Sequence, residues 1–162
     1  MNQPLPISAS VDVDASPAAV WAVVSDVARM SEWSPECRRI LVVGSPKSGA
    51  GTRLLGLNRR GWAMWPTLSR VTRFEPEQVV AWKTRESGAT WTYELETTGS
   101  GTRVTGRRDL PAYTPGTALL APLLGGAAGH DRELDEGIRT TLERIKATVE
   151  REAGLATESA TG

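Results

Sequence analysis

The stretch HDRELDEGIRTTLERIKATVERE, residues 130–152, decides the fold. Within it Leu134, Ile138, Leu142, Ile145 and Val149 recur at gaps of three and four, and the stripe extends backward through Asp131, Ala127, Leu124 and Leu120. That is the period of an amphipathic α-helix. Glu133, Asp135, Glu136, Arg139, Glu143, Arg144, Lys146 and Glu150 occupy the other faces. The spacing predicts one long helix over about 117–152. Gly125, Gly126 and Gly129 fit poorly there, since each costs about 1 kcal/mol relative to Ala. They either bend the helix start or mark a loop, with the helix beginning only near His130. Residues 153–162, rich in Ala, Thr and Ser, show no periodicity and are expected to be disordered.

Upstream, the period changes. Ile7, Ala9, Val11 and Val13 alternate with Ser8, Ser10, Asp12 and Asp14, which predicts a strand over about 6–14 with one wet face. Ser16-Pro17 reads as an N-cap followed by Pro at the first helical position, and Asp26 as the cap of a second short helix that ends before Ser34-Pro35. From Arg38 the pattern becomes strand and turn in alternation, punctuated by Gly44 to Gly51, Gly61, Glu75-Pro76, Ser87-Gly88 and Gly99-Ser100-Gly101. About six strands in a meander fit between these marks. The clearest is Thr90 to Glu96, where Trp91, Tyr93 and Leu95 share a face. At Arg53 to Asn58 the inward face cannot be chosen, because Leu54, Leu55 and Leu57 do not lie on one side.

The fold class that follows is α+β: a curved antiparallel sheet of about seven strands and two short helices, wrapped around a long C-terminal helix. A bent sheet closed by one helix seldom fills its own interior, so a ligand cavity is expected. At 162 residues, 40% hydrophobic and 23% charged, the chain suits one soluble domain, taken as 1–152. Nineteen Lys and Arg balance nineteen Asp and Glu, leaving no net field to attract nucleic acid or an anionic membrane. The apolar run from Ala118 to Gly129 is too short for a membrane span, and the N-terminal residues lack an export pattern, so a cytoplasmic location is expected.

The chain resembles the START-like superfamily, also called Bet v 1-like or helix-grip, and within it the bacterial polyketide cyclase/dehydrase and lipid-transport (SRPBCC) group. The resemblance rests on Val11-Asp12-Val13-Asp14-Ala15-Ser16-Pro17-Ala18-Ala19-Val20-Trp21, on Asp26 to Trp33 with Pro35, and on Gly51-Thr52-Arg53. Phe74-Glu75-Pro76 to Ala81-Trp82, Gly101-Thr102-Arg103-Val104-Thr105 and the closing helix complete it, over about 6–152. It implies the helix-grip fold and says little about chemistry, because the same framework hosts binders, aromatase/cyclases and hydrolases.

Candidate site residues follow from alternation and from charges in apolar settings. Trp65, Trp82, Trp91 and Tyr93 are candidate walls, with Leu124, Ala127 and Leu134 facing them from the helix. Asp131 is the one charge in the helix stripe and needs water or a cation. On the strand over 102–110, Val104 sets a phase that carries Arg108 inward, toward Asp131 or a ligand oxygen; a register shift would send it to solvent with Arg103 and Arg107. His130, Asp131 and Arg108 are the candidates for proton chemistry. His130 and Glu133 alone make no metal site, and neither a metal nor a cofactor is expected. Cys37 is expected to be structural.

The function expected is binding of a small hydrophobic molecule, polyketide-like, lipid or aromatic, between sheet and helix. The alternatives are an aromatase/cyclase-like or dehydratase-like enzyme in the same cavity, and a protein-interaction module.

Overall fold

The computed structural model describes residues 4, 6–44, 49–112, 114, 115, 118 and 127–161, with only the backbone of 127–131. Strand β1 (Ile7–Val13) leads through Ser16 into helix α1 (Pro17–Val24). The Ser16 hydroxyl accepts the Ala19 N–H at 3.2 Å, so the predicted cap is formed. A 3₁₀ turn (Val27–Arg29) and a one-turn helix α2 (Met30–Trp33) follow, and Ser34, held extended before Pro35, stops the chain from coiling further. Asp26 stands at the N-cap of the 3₁₀ turn, but its side chain makes no capping bond.

Six strands then run in sequence: β2 (Cys37–Val43), β3 (Arg53–Arg60), β4 (Ala63–Glu75), β5 (Val79–Thr84), β6 (Thr90–Thr97) and β7 (Thr102–Asp109). All pair antiparallel in the order β1-β7-β6-β5-β4-β3-β2, so the first strand closes one edge beside the last and β2 forms the other edge. Register shifts at Cys37/Arg39 and Val71/Arg73 are bulges that help the sheet bend. This is the curved seven-stranded helix-grip sheet.

Helix α3 (Ala127–Thr161) lies in the grip. Its described stripe is buried as the spacing predicts: Leu134, Ile138, Leu142, Ile145 and Val149 are all less than a tenth exposed. The helix is already formed at Ala127, before His130, and it continues past Glu152 to Thr161. The tail expected to be disordered is therefore helical as far as Thr161, though residues 155–161 face solvent. No proline interrupts it, and Thr157 and Thr161 return their hydroxyls to the carbonyls of Ala153 and Thr157. Lack of an apolar stripe reported a missing packing partner, not a missing helix.

Two apolar clusters hold α3. The larger joins Leu142, Ile145 and Val149 to Val13, Val20, Val23, Val24, Trp33, Leu95 and Val104; the smaller joins Leu134 and Ile138 to Ile7, with Ala9 and Trp91 packed on it. Close approach is possible because Gly106 faces the helix: a Cβ there would sit 3.2–3.3 Å from Tyr93 and Ile138. Polar ties fix the register. Trp33 Nε1 donates to Thr148 Oγ1 (3.3 Å), Lys146 Nζ to the Asp12 carbonyl (2.7 Å), and the Asp14 N–H to Glu150 Oε1 (2.9 Å). Among the described residues no helix is long and apolar enough to cross a membrane.

Candidate ligand cavity

The larger cluster fills the grip at the end near α1, and a cavity of about 480 Å³ remains at the other end. One wall comes from the N-terminal half of α3, through Leu134, Gly137, Ile138 and Thr141; the opposite walls come from β2 to β7. This volume lies within the range of small-molecule sites, roughly 300–1,000 Å³.

Alternation decides what each strand shows the cavity. On β3, Leu54, Gly56 and Asn58 face inward while Leu55 and Leu57 face out, which resolves the phase that the sequence left open. On β4 the inward set is Ala63, Trp65, Thr67, Ser69 and Val71. On β5 and β6 it is Trp82, Thr84, Trp91 and Tyr93, and the Trp82 and Tyr93 rings stack at 5.7 Å and 22°. The polar members satisfy one another across strands. Asn58 Nδ2 donates to Thr67 Oγ1 (3.1 Å), and the Ser69 and Thr84 hydroxyls are 3.0 Å apart.

Arg108 takes the inward of its two open placements. No bulge interrupts the pairing of β6 with β7, so Arg108 sits opposite Trp91, 5% exposed, while Arg103 and Arg107 turn outward to Asp12, Glu94 and Asp109. Of the residues named from the sequence, Trp65, Trp82, Trp91, Tyr93, Arg108 and Leu134 line the cavity together. Leu124 and the side chains of Ala127, His130 and Asp131 lie outside the described residues.

The sequence reading missed Glu36. It follows the Pro35 stop that ends α2 and enters the cavity lining with Cys37. Burial pushes its carboxyl up to about 7; the Arg60 and Arg108 guanidiniums pull the other way, and the Glu133 carboxylate adds to the rise. Burial likewise pushes the Cys37 thiol up to about 11, which keeps it protonated and unreactive at neutral pH, and raises the Tyr93 phenol above its usual range. Asn58, Thr67, Ser69 and Thr84 were also missed. Asn58 on β3 and the alternate pair Thr67 and Ser69 on β4 were the available signal, masked by the leucines between and opposite them.

Apart from Pro66 on β4, the exposed members of the lining gather at one place. Pro35 and Arg38 from the start of β2, Arg59 and Gly61 from the β3–β4 turn, and Glu133 from α3 mark the end where the described cavity meets solvent. There Arg60 and Glu133 form an ion pair that ties the β3–β4 hairpin to the helix. Among the described residues no group of three or more His, Cys, Asp or Glu side chains is placed to hold a metal ion.

The geometry has known counterparts. Solved structures of similar shape include TTHA0849 from Thermus thermophilus, with 18% identity, TM-score 0.70, and 90% of this chain covered against 97% of that one. The Zhui aromatase/cyclase from Streptomyces sp. R1128 has 16% identity and TM-score 0.70, covering 92% and 95%. Ara h 8.0201 has 12% identity and TM-score 0.66, covering 90% and 97%. At these identities the likeness is one of fold. None of the curated proteins matches the chain. The family model described as polyketide cyclase / dehydrase and lipid transport matches residues 5–150, and the chain belongs to that family, within the START/Bet v 1-like superfamily.

Proposed function

We propose that this chain binds one small, largely apolar, ring-bearing molecule, polyketide-like, lipid or aromatic, in the cavity between α3 and the sheet. The observation that carries this reading is the cavity itself: about 480 Å³ walled by Trp65, Trp82, Trp91, Tyr93, Leu134 and Ile138. Apolar ligand surface removed from water there supplies about 25 cal/mol per Å². Flat rings suit the indole walls, since offset stacking adds about 0.5–1.5 kcal/mol per aromatic pair. Arg108, buried among them, orients a ligand oxygen.

Native mass spectrometry of the purified chain, together with saturable binding of 1-anilinonaphthalene-8-sulfonate, tests it. Ser69→Phe, which projects a ring into the cavity, should abolish dye binding while leaving the thermal transition cooperative. A chain that carries no small molecule and binds no dye refutes the reading.

Glu36 supports a second reading, in which the same cavity acts on a carbonyl-bearing chain as a cyclase- or dehydratase-like enzyme. A carboxyl near neutral pKa can give or take a proton at working pH, and in this reading Arg108, in the same lining, polarises a carbonyl oxygen. Turnover of a ketide surrogate that survives both Glu36→Gln and Arg108→Leu excludes these roles.

A further inference from the structure

The outer surface of β2, β3 and β4 is unlike the rest of the molecule. Among the described residues the exposed large apolar side chains are Leu41, Val43, Leu55, Leu57, Trp62, Met64, Leu68 and Leu155, and all but Leu155 lie on this face or its hairpin tip. The register assembles them into rows. Leu41, Leu55 and Leu68 stand side by side across the three strands; Arg39, Leu57 and Pro66 form the next row, and Val43, Arg53 and Arg70 the one beyond. Trp62, 81% exposed, projects from the β3–β4 turn beside Met64.

The stretch that builds this face is rich in one sign of charge, and the one carboxylate at its end, Glu75 of β4, is taken up by Arg73. From Cys37 to Phe74 the chain holds no Asp or Glu and eight basic residues: Arg38, Arg39, Lys47, Arg53, Arg59, Arg60, Arg70 and Arg73. With 19 basic and 19 acidic residues in all, the remainder carries 11 against 19, so a segment of +8 is balanced by −8 elsewhere. On the other half of the sheet the outward arginines are matched, Arg103 with Asp12 and Arg107 with Glu94 and Asp109. Among the described residues Arg39, Arg53 and Arg70 have no carboxylate against them.

We propose that the outer face of β2–β4 docks on an anionic lipid surface, with Trp62 and Met64 entering the interface and the arginines meeting lipid phosphates. The charge selects this occupant. A second copy of the chain meeting the face symmetrically would set arginine against arginine, and a nucleic acid would leave the leucine rows against phosphate and water. An anionic bilayer satisfies both features, because its headgroups are negative and its interfacial zone accepts Trp, Leu and Met. The inward residues of the same strands line the cavity, so docking places the solvent-facing end of that cavity, near Arg60 and Gly61, beside the membrane. Net neutrality, which spoke against a membrane partner when charges were only counted, averages a basic segment and an acidic remainder to zero.

Flotation of the full chain with phosphatidylcholine vesicles, with and without phosphatidylglycerol, tests the proposal independently of any cavity ligand. The unmodified chain should float with the mixed vesicles only, and rising salt should release it, a result that needs no substitution. At about fivefold per basic residue, Arg53→Glu with Arg70→Glu should lower partitioning by about 25-fold or more; Trp62→Ser with Met64→Ser should also lower it. Neither pair lines the cavity, so dye binding should be unchanged in both. No flotation, equal flotation with both lipids, salt-independent binding, or a dimer in sedimentation equilibrium that buries the face would each overturn the proposal.

Discussion

Glu36→Gln separates the cost of the cavity carboxyl from everything else that titrates. In the folded chain this carboxyl ionises near 7, against its ordinary 4.5. Between those values the unfolded chain gives up the proton and the folded chain keeps it, so stability falls as pH rises across this window and the loss is complete above 7. The difference of 2.5 pH units, at 1.36 kcal/mol each, comes to about 3 kcal/mol. Glutamine keeps the shape and cannot ionise. The variant should match the wild type at pH 4 and exceed it by up to about 3 kcal/mol at pH 8, which for a chain of this size is a Tm gain of about 6–12 °C. Carboxylates held low by ion pairs, such as Asp12, Glu32 and Glu150, lose their stabilising contribution as pH falls below the usual carboxylate range and act equally in both proteins. Thermal melts of the two proteins from pH 4 to 8, taken as a difference, therefore isolate Glu36. A difference that stays flat across the window refutes the buried-carboxyl account.

Three further outcomes follow from the packing. Gly106→Val should cost about 1–3 kcal/mol by overpacking Tyr93 and Ile138; urea unfolding checks it, and an unchanged midpoint would mean that α3 does not rest on β7. Trp33→Phe should cost about 2 kcal/mol through the lost bond to Thr148 and lost volume, whereas Trp62→Phe, on a side chain 81% exposed, should stay within about 0.5 kcal/mol. Cys37, with its thiol pushed up to about 11 from 9.0, should react with iodoacetamide at pH 8 about 100-fold more slowly in the folded chain than after unfolding; equal rates would contradict its burial.

How much was legible depended on which faces obeyed the inside-apolar rule. The last helix announced itself because Leu134, Ile138, Leu142, Ile145 and Val149 all face the core. Strand β6 did likewise, with Trp91, Tyr93 and Leu95 inward and Glu94 and Glu96 outward. Arg108 could be traced inward by counting from Val104, and the absence of a bulge, which a sequence does not display, made the count hold. Strands β3 and β4 broke the rule. Their inward positions mix Asn58, Thr67 and Ser69 with Leu54, Ala63, Trp65 and Val71, and their outward positions carry Leu55, Leu57, Met64 and Leu68. On β3 the leucines fall on both sides, and on β4 apolar and polar residues share each side, so neither strand indicated which side was the interior. Glu36 escaped for another reason: it sits in the short link after Pro35, where no periodicity assigns a direction.

The partial inversion of the pattern in β3 and β4 ties the two proposals to one physical cause. An interior lined with leucine on these strands would let α3 and the sheet collapse onto each other, as they do where Val13, Leu95 and Val104 meet Ile145 and Val149. Short polar side chains paired across strands, Asn58 with Thr67 and Ser69 with Thr84, leave space that no neighbouring apolar group is driven to fill. The leucines displaced to the outer face then expose apolar surface to water, a cost that persists unless something covers it. A chain with Thr67 and Ser69 changed to Leu should therefore pack its cavity, gain thermal stability and lose dye binding, while its outer face still meets anionic vesicles. Loss of both properties together would show that cavity and surface are a single site.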